Sequence, residues 1–291
     1  MIHTLPLSVA LIVIGFCSSQ KKDVQEQYLS SDTAPSEHHP RMDTPIKEDV
    51  GLEGKNYFLE DAKAETILEE ETTPMNKEAF DHSYFDQLLK KYVSKNGIVD
   101  YSGIKKDQKP LKDYLETIRV YAPDDTWSRQ DQFAYYLNAY NAMTIDLIVR
   151  NYPLKSIKDI KNPWEQRSWS IGKKSISLEE IEHKILRKMN EPRIHFGINC
   201  ASFSCPPLMN EAFTAAKVDA QLERLAVQFI NDPKRNRITR DRIEISNIFR
   251  WFKKDFTKNG DLIDFLNKYS KVAIDKNARL RYMDYDWSLN E

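Results

Sequence analysis

Only three cysteines occur in 291 residues, and no histidine follows the last of them, Cys205. That shortage limits the chemistry. Papain-like and transglutaminase-like enzymes place the cysteine before its histidine in the chain, so a triad here has to be rearranged. A second cysteine pair is missing too. Two cysteines and one nearby histidine make only three ligands, which argues against a structural zinc site, and no motif calls for a cofactor. Runs of Lys and Arg interleaved with aromatic residues are lacking, which argues against nucleic acid as a partner. There is no internal repeat, and no linker divides residues 76–291, so that stretch reads as one domain.

Charge is missing from the start of the chain. Residues 1–17 hold no Lys, Arg, Asp or Glu, and the apolar core from Leu5 to Phe16 is about 12 residues long. A membrane-spanning helix needs roughly 20. The segment therefore reads as a signal peptide, and Cys17, followed by Ser18 and Ser19, resembles the lipidation site of a bacterial lipoprotein signal. Phe16 stands where such signals usually carry a small residue, so cleavage near Ser19 and an uncleaved anchor are the alternatives. All three export the domain: as a lipoprotein held to the cell envelope through Cys17, or as a periplasmic or secreted protein. Disulfides persist in those compartments.

Residues 18–75 carry fourteen acidic and six basic side chains, a net of −8, which leaves +7 on residues 76–291. The segment is rich in Ser, Thr, Pro, Glu and Asp, and its apolar residues keep no period. It reads as a disordered acidic tether that cannot bury enough apolar surface to offset the entropy of ordering.

The domain begins near Asn76. Phe80, Phe85, Leu88, Leu89, Tyr92 and Val93 fall at helical spacing, with Gly97 as a stop, and "IVDY" at 98–101 is a short extended piece. "PLKDYLETIRVYAP" is a second helix. The stretch from Ser128 to Pro153 is the strongest helix, capped by Ser128 and apolar nearly all round from Phe133 to Val149. An aromatic, basic loop comes next, then a Ser177/Glu180 capping box and a helix to about Met189. "RIHFGIN" reads as a strand, "VDAQLERLAVQFIND" as an amphipathic helix, and "RITRDRIEIS" as a hairpin around Arg240 and Asp241. "NIFRWFKKDF" and "DLIDFLNKY" are short helices before an extended end. The expected class is α+β: a helix-dominated single domain around a small, mainly antiparallel sheet.

Three stretches carry a family likeness: "YYLNAYNAM" on the strongest helix, "RIHFGINCASFSCPPL", and the terminal "YDWSLN". Together they resemble the domain of unknown function 547 family, over roughly Phe80 to Asn290. The resemblance implies a domain found in exported bacterial proteins and in some multidomain eukaryotic ones. It implies no settled activity and fixes no catalytic residue.

The candidate chemistry therefore rests on the residues. A nucleophilic cysteine needs a lowered pKa. Cys205 precedes Pro206 and Pro207, which force a turn and can open a short helix aimed at its sulfur. His195 is the nearest base in sequence, with His183 and His82 as other candidates. On a strand side chains alternate, so His195 and Cys200 face apart. One reading is a thiol-dependent hydrolase or transferase on an envelope or extracellular substrate. In it Cys205 is the nucleophile, His195 the base, Asn141 and Asp286 orienting groups, and Cys200 a packed or resolving thiol. The other is a binding module in which Cys200 and Cys205 form a structural disulfide and a cleft lined by Trp164, Arg167, Trp169 and Asn138 holds a small molecule, glycan or peptide. A third, redox reading has the two cysteines cycle. The bland readings are a backbone-capping role for the two asparagines, core packing for the tryptophans and a surface ion pair for Asp286.

Overall fold

A computed structural model describes residues 80–291. The leader 1–17 with Cys17, the tether 18–75 and residues 76–79 lie outside the described residues. Helix α1 (Ser83–Tyr92) buries Phe85, Leu88 and Leu89 on one face. It gives way to a bridge between Val93 and Val99, and Gly97 makes the turn between them at φ 78°. A side chain is excluded there twice over, since a Cβ would also meet Pro207 at 2.5 Å. Asp100 accepts the Gly103 N–H at 2.7 Å and so starts helix α2 (Tyr101–Lys106), where the sequence predicts only an extended piece.

Helix α3 (Lys109–Val120) turns Leu111, Tyr114 and Ile118 inward. Helix α4 (Arg129–Asn151) forms the centre. Ser128 caps it by accepting the Asp131 N–H at 3.0 Å, and every residue from Phe133 to Val149 except Tyr136 is buried. A helix that is apolar nearly all round is packed on all sides, as its sequence requires.

The segment that reads as an aromatic loop contains a small antiparallel pair, β1 (Trp169–Ile171) and β2 (Lys174–Ile176), turning at Gly172. The capping box forms as expected. Ser177 Oγ accepts the Glu180 N–H at 3.2 Å, and Glu180 accepts the Ser177 N–H at 3.3 Å. The chain then makes a π turn (Glu180–Ile185) and a 3-10 turn (Leu186–Met189) rather than one regular helix.

"RIHFGIN" is not a strand. Its first part is a short helix, α5 (Ile194–Gly197), and the chain becomes extended only at Ile198. Pro192 and Glu191 start this turn: the Ile194 N–H reaches the Glu191 carbonyl, and the His195 N–H reaches that of Pro192. All four residues of α5 are buried, so there is no exposed face and no alternation to read.

Helix α6 (Val218–Ile230) is amphipathic as predicted, burying Leu222, Leu225 and Phe229. Strands β3 (Arg237–Ile238) and β4 (Arg242–Ile245) make the expected hairpin. Short helices α7 (Ile248–Trp251), α8 (Lys253–Phe256) and α9 (Leu262–Asn267) intervene before β5 (Arg279–Tyr282), which runs parallel to β4. The fold is thus α+β, with helices around a two-stranded and a three-stranded sheet. Past β5 the chain threads between two loops, where Ser288 bridges Ser156 and Leu289 bridges Ser202. Among the described residues, no helix is long and apolar enough to cross a membrane.

Candidate functional site

Helix α4 presents two buried amides one turn apart. The Asn141 side chain donates to the Gly197 carbonyl and accepts the Asn199 N–H, both at 2.9 Å. The Asn138 side chain donates to the Phe213 carbonyl and accepts the Phe213 N–H, again both at 2.9 Å. Each asparagine thus satisfies a backbone donor and an acceptor that would cost about 1–3 kcal/mol apiece if left unpaired in the core. The two residues suspend the cysteine-bearing segment from the central helix at both of its ends. Asn141 therefore orients backbone, not a catalytic histidine. Asn138 is likewise a clamp, with its amide committed to Phe213 rather than to a substrate.

Between those clamps the chain makes a tight turn. Asn199, which no sequence motif singles out, accepts the Ala201 N–H and donates to the Pro206 carbonyl, each at 2.8 Å. Ala201 is held at φ 59°, a left-handed conformation that costs a non-glycine residue about 1–2 kcal/mol. Arg235 fixes the far side, donating to the Cys205 carbonyl at 2.9 Å and the Phe203 carbonyl at 2.7 Å.

Both cysteines in this turn are free thiols, and the disulfide expected from their spacing is not formed. The Cys200 N–H donates to Cys205 Sγ at 3.1 Å, and the two thiols hydrogen-bond to each other. Cys200 is half-buried. Its sulfur also meets Ser202 Oγ at 3.0 Å and the Tyr285 hydroxyl at 3.4 Å, and those two hydroxyls lie 2.9 Å from each other. The Cys205 thiol, with help from Ser202 and Tyr285, lowers the Cys200 pKa to about 7 against the opposing effect of burial. Cys205 is only 5% exposed, and burial pushes its pKa well above the ordinary thiol value, with the Cys200 charge adding to the rise. The order expected from the Cys-Pro turn is reversed: Cys200 is the more exposed sulfur and the one whose pKa is lowered, and Cys205 is the buried thiol that supports it.

His195 serves neither sulfur. Its Nε2 lies 2.8 Å from Asp255 Oδ2, and its ring stacks on Phe252 at 4.0 Å. It faces away because α5 is a helical turn, which sends residue 195 toward α7 and α8. Burial lowers its pKa, and the Asp255 hydrogen bond only partly offsets this. Asp255 also receives Arg187, with Nε at 2.7 Å and Nη2 at 3.2 Å. Burial opposes its ionisation, but the His195 and Arg187 hydrogen bonds hold its carboxyl well below the usual carboxylate range. The other two candidate bases are also engaged elsewhere. His183 Nδ1 accepts from Arg187 at 2.8 Å, and His82 Nδ1 meets the Tyr114 hydroxyl at 2.7 Å.

The predicted aromatic cleft is packed instead. Trp169 is 8% exposed and donates its ring N–H to Asp146 at 2.7 Å, with the Arg150 guanidinium over its face. Trp164 is 9% exposed and packs edge-on against Trp287. Arg167 pairs with Glu180 at 2.6 Å and donates to the Ser175 carbonyl. Asp286 is exposed and holds Ser288 through its hydroxyl and its N–H, not a histidine. The aromatic wall beside the thiol is built by other residues. Tyr285 lies 4.8 Å from Trp251 and 4.6 Å from Trp287, and Lys158 sits over the Trp287 ring at 4.7 Å. The terminal motif "YDWSLN" contains the signal, since Tyr285 and Trp287 flank the candidate Asp286. Asp255 and Asn199 had no such cue. Among the described residues, no group of three or more His, Cys, Asp or Glu side chains is arranged to hold a metal ion.

No curated protein and no solved structure matches the chain. Residues 125–230 do match a family model, described as Protein of unknown function, DUF547. That span holds α4 with both clamping asparagines and the whole cysteine turn; the terminal "YDWSLN" lies beyond it. The segment 125–230 belongs to this family of proteins of unknown function.

Proposed function

We propose that the chain is an exported thiol-dependent enzyme, a hydrolase or transferase in the broad sense, with Cys200 as its nucleophile. One observation carries the reading: a half-buried thiol whose pKa of about 7 makes it substantially thiolate at neutral pH. The Ser202 and Tyr285 hydroxyls stand ready to stabilise charge on the sulfur as it forms or leaves. The half-buried rings of Tyr285 and Trp287 beside it, backed by the buried Trp251, support an envelope or extracellular substrate with an apolar or sugar face. The apolar leader ending at Cys17 supports export and a lipid anchor.

Alkylation of the folded, reduced protein with iodoacetamide, mapped by mass, tests this reading. Cys200 is modified with a midpoint near pH 7, and Cys205 is modified only on unfolding. A Cys200 that resists alkylation in the folded protein sinks the proposal.

A second reading is favoured by the same wall: a tethered module that binds a glycan or peptide without turning it over. It predicts that Cys200→Ser leaves ligand binding and cellular function intact, whereas the enzyme reading predicts that function is lost.

A further inference from the structure

We propose that Cys200 and Cys205 act together as a dithiol, and that the electrophile Cys200 attacks is the sulfur of a peptide or protein disulfide. This keeps the nucleophile of the reading above but replaces hydrolysis with thiol–disulfide exchange, and it rests on Cys200 being that nucleophile.

The surroundings of the two sulfurs select the electrophile. Hydrolysis of an acyl group needs a base for water and an acid for the leaving group. All three described histidines are committed elsewhere: His82 to Tyr114, His183 to Arg187 and His195 to Asp255. Thiol–disulfide exchange needs less. It takes one thiolate with a pKa near ambient pH and a second thiol within reach. The turn supplies both. Asn199 and Arg235 pin its two sides, and the Cys200 N–H on Cys205 Sγ at 3.1 Å holds the buried sulfur against the residue it would attack. Cys205 itself is 5% exposed, so among the described residues the sulfur within its reach is that of Cys200.

The steps balance without a further reagent. The Cys200 thiolate attacks one sulfur of the substrate disulfide. A Cys200–substrate disulfide forms, and the other substrate sulfur leaves with the bonding pair and takes a proton from water. Cys205 then gives its proton to solvent or to the departing thiolate and attacks Cys200 Sγ. The Cys200–Cys205 bond forms and the second substrate thiol leaves. The substrate disulfide is reduced by two electrons and the dithiol is oxidised by two. The reaction runs in reverse toward a substrate dithiol when the partner's potential demands it. The half-buried rings of Tyr285 and Trp287, backed by the buried Trp251, give a peptide chain bearing that disulfide an apolar edge to lie on.

The test uses the full reduced chain and oxidised glutathione. The expected result is an intramolecular Cys200–Cys205 bond, seen by non-reducing peptide mapping, with release of two glutathione thiols per chain. Cys205→Ser keeps a hydroxyl donor at the same place and stops at the Cys200–glutathione mixed disulfide, releasing one. Circular dichroism of the variant confirms that it is folded. The wild-type chain gives the decisive reading without any substitution. If Cys200 alkylates near neutral pH but the chain never closes the Cys200–Cys205 bond, the dithiol proposal is overturned while the nucleophile stands. If Cys200 neither alkylates nor exchanges, both fall together.

Discussion

Cys205 receives the backbone N–H of Cys200 on its sulfur at 3.1 Å, and its thiol in turn lowers the Cys200 pKa. One residue thereby orients the other and tunes it. The thiol of Cys205 is the largest influence lowering the Cys200 pKa to about 7. Cys205→Ala removes that donor, and the Cys200 pKa climbs toward the ordinary thiol value of about 8.5. Alkylation of Cys200 at pH 7 then slows by roughly tenfold, because the thiolate is the reacting form. A pH profile of the alkylation rate reads the shift directly. An unchanged midpoint means Cys205 is a packing residue only.

Tyr285→Phe keeps the ring against Trp251 and Trp287 but deletes the hydroxyl near the Cys200 sulfur. The Cys200 pKa rises by less than in Cys205→Ala, because Tyr285 stands behind Cys205 and Ser202 among the groups lowering it. The same alkylation profile measures it, with near-ultraviolet circular dichroism as the control for aromatic packing.

Asn141→Ala orphans the Gly197 carbonyl and the Asn199 N–H inside the core. Each lost partner costs about 1–3 kcal/mol. Urea unfolding shows a fall in midpoint well beyond that of an exposed control such as Gln130→Ala. Asn141→Asp, which loses the donor but keeps the acceptor, lies between the two.

Stability falls on mild acidification. Burial holds the His82 pKa at about 4 in the folded state, against about 6.5 when unfolded. A depressed folded value means the unfolded chain takes up the proton first. The contribution is therefore complete above pH 6.5 and is lost as pH drops toward 4. The difference corresponds to roughly 3 kcal/mol when fully expressed. His195 acts in the same direction, its folded pKa also being lowered by burial. Urea midpoints recorded between pH 7 and pH 4.5 trace the loss, and His82→Gln flattens part of it. A midpoint independent of pH over that range rules the linkage out.

Local pattern carries the fold further than it carries the site. The run from Phe133 to Val149 can only be a buried helix, and Ser177 with Glu180 can only be a start signal. Pattern fails at α5. Four consecutive buried residues carry no period, so Pro192 and Glu191 decide the conformation through backbone bonds that composition does not announce. The helical turn in place of a strand is what sends His195 to Asp255 and away from both sulfurs. Long-range partners are illegible for a different reason. Asp255 lies 60 residues beyond His195, and Tyr285 lies 85 beyond Cys200, on elements whose own spacing serves other contacts. The asparagines on α4 are visible as an anomaly in an apolar helix, but their targets are not.

Those asparagines have a consequence for how the thiol meets a partner. Asn138 and Asn141 tie the cysteine segment to the long central helix of the domain, by its backbone rather than its side chains. The amide protons of Asn199 and Phe213 then exchange with solvent only when the whole domain opens, among the slowest in the chain. A turn so held does not reshape itself around what arrives. Outside the short step that brings the two sulfurs together, the surface beside Cys200 works as a fixed mould, and a partner must bring the flexibility the encounter requires.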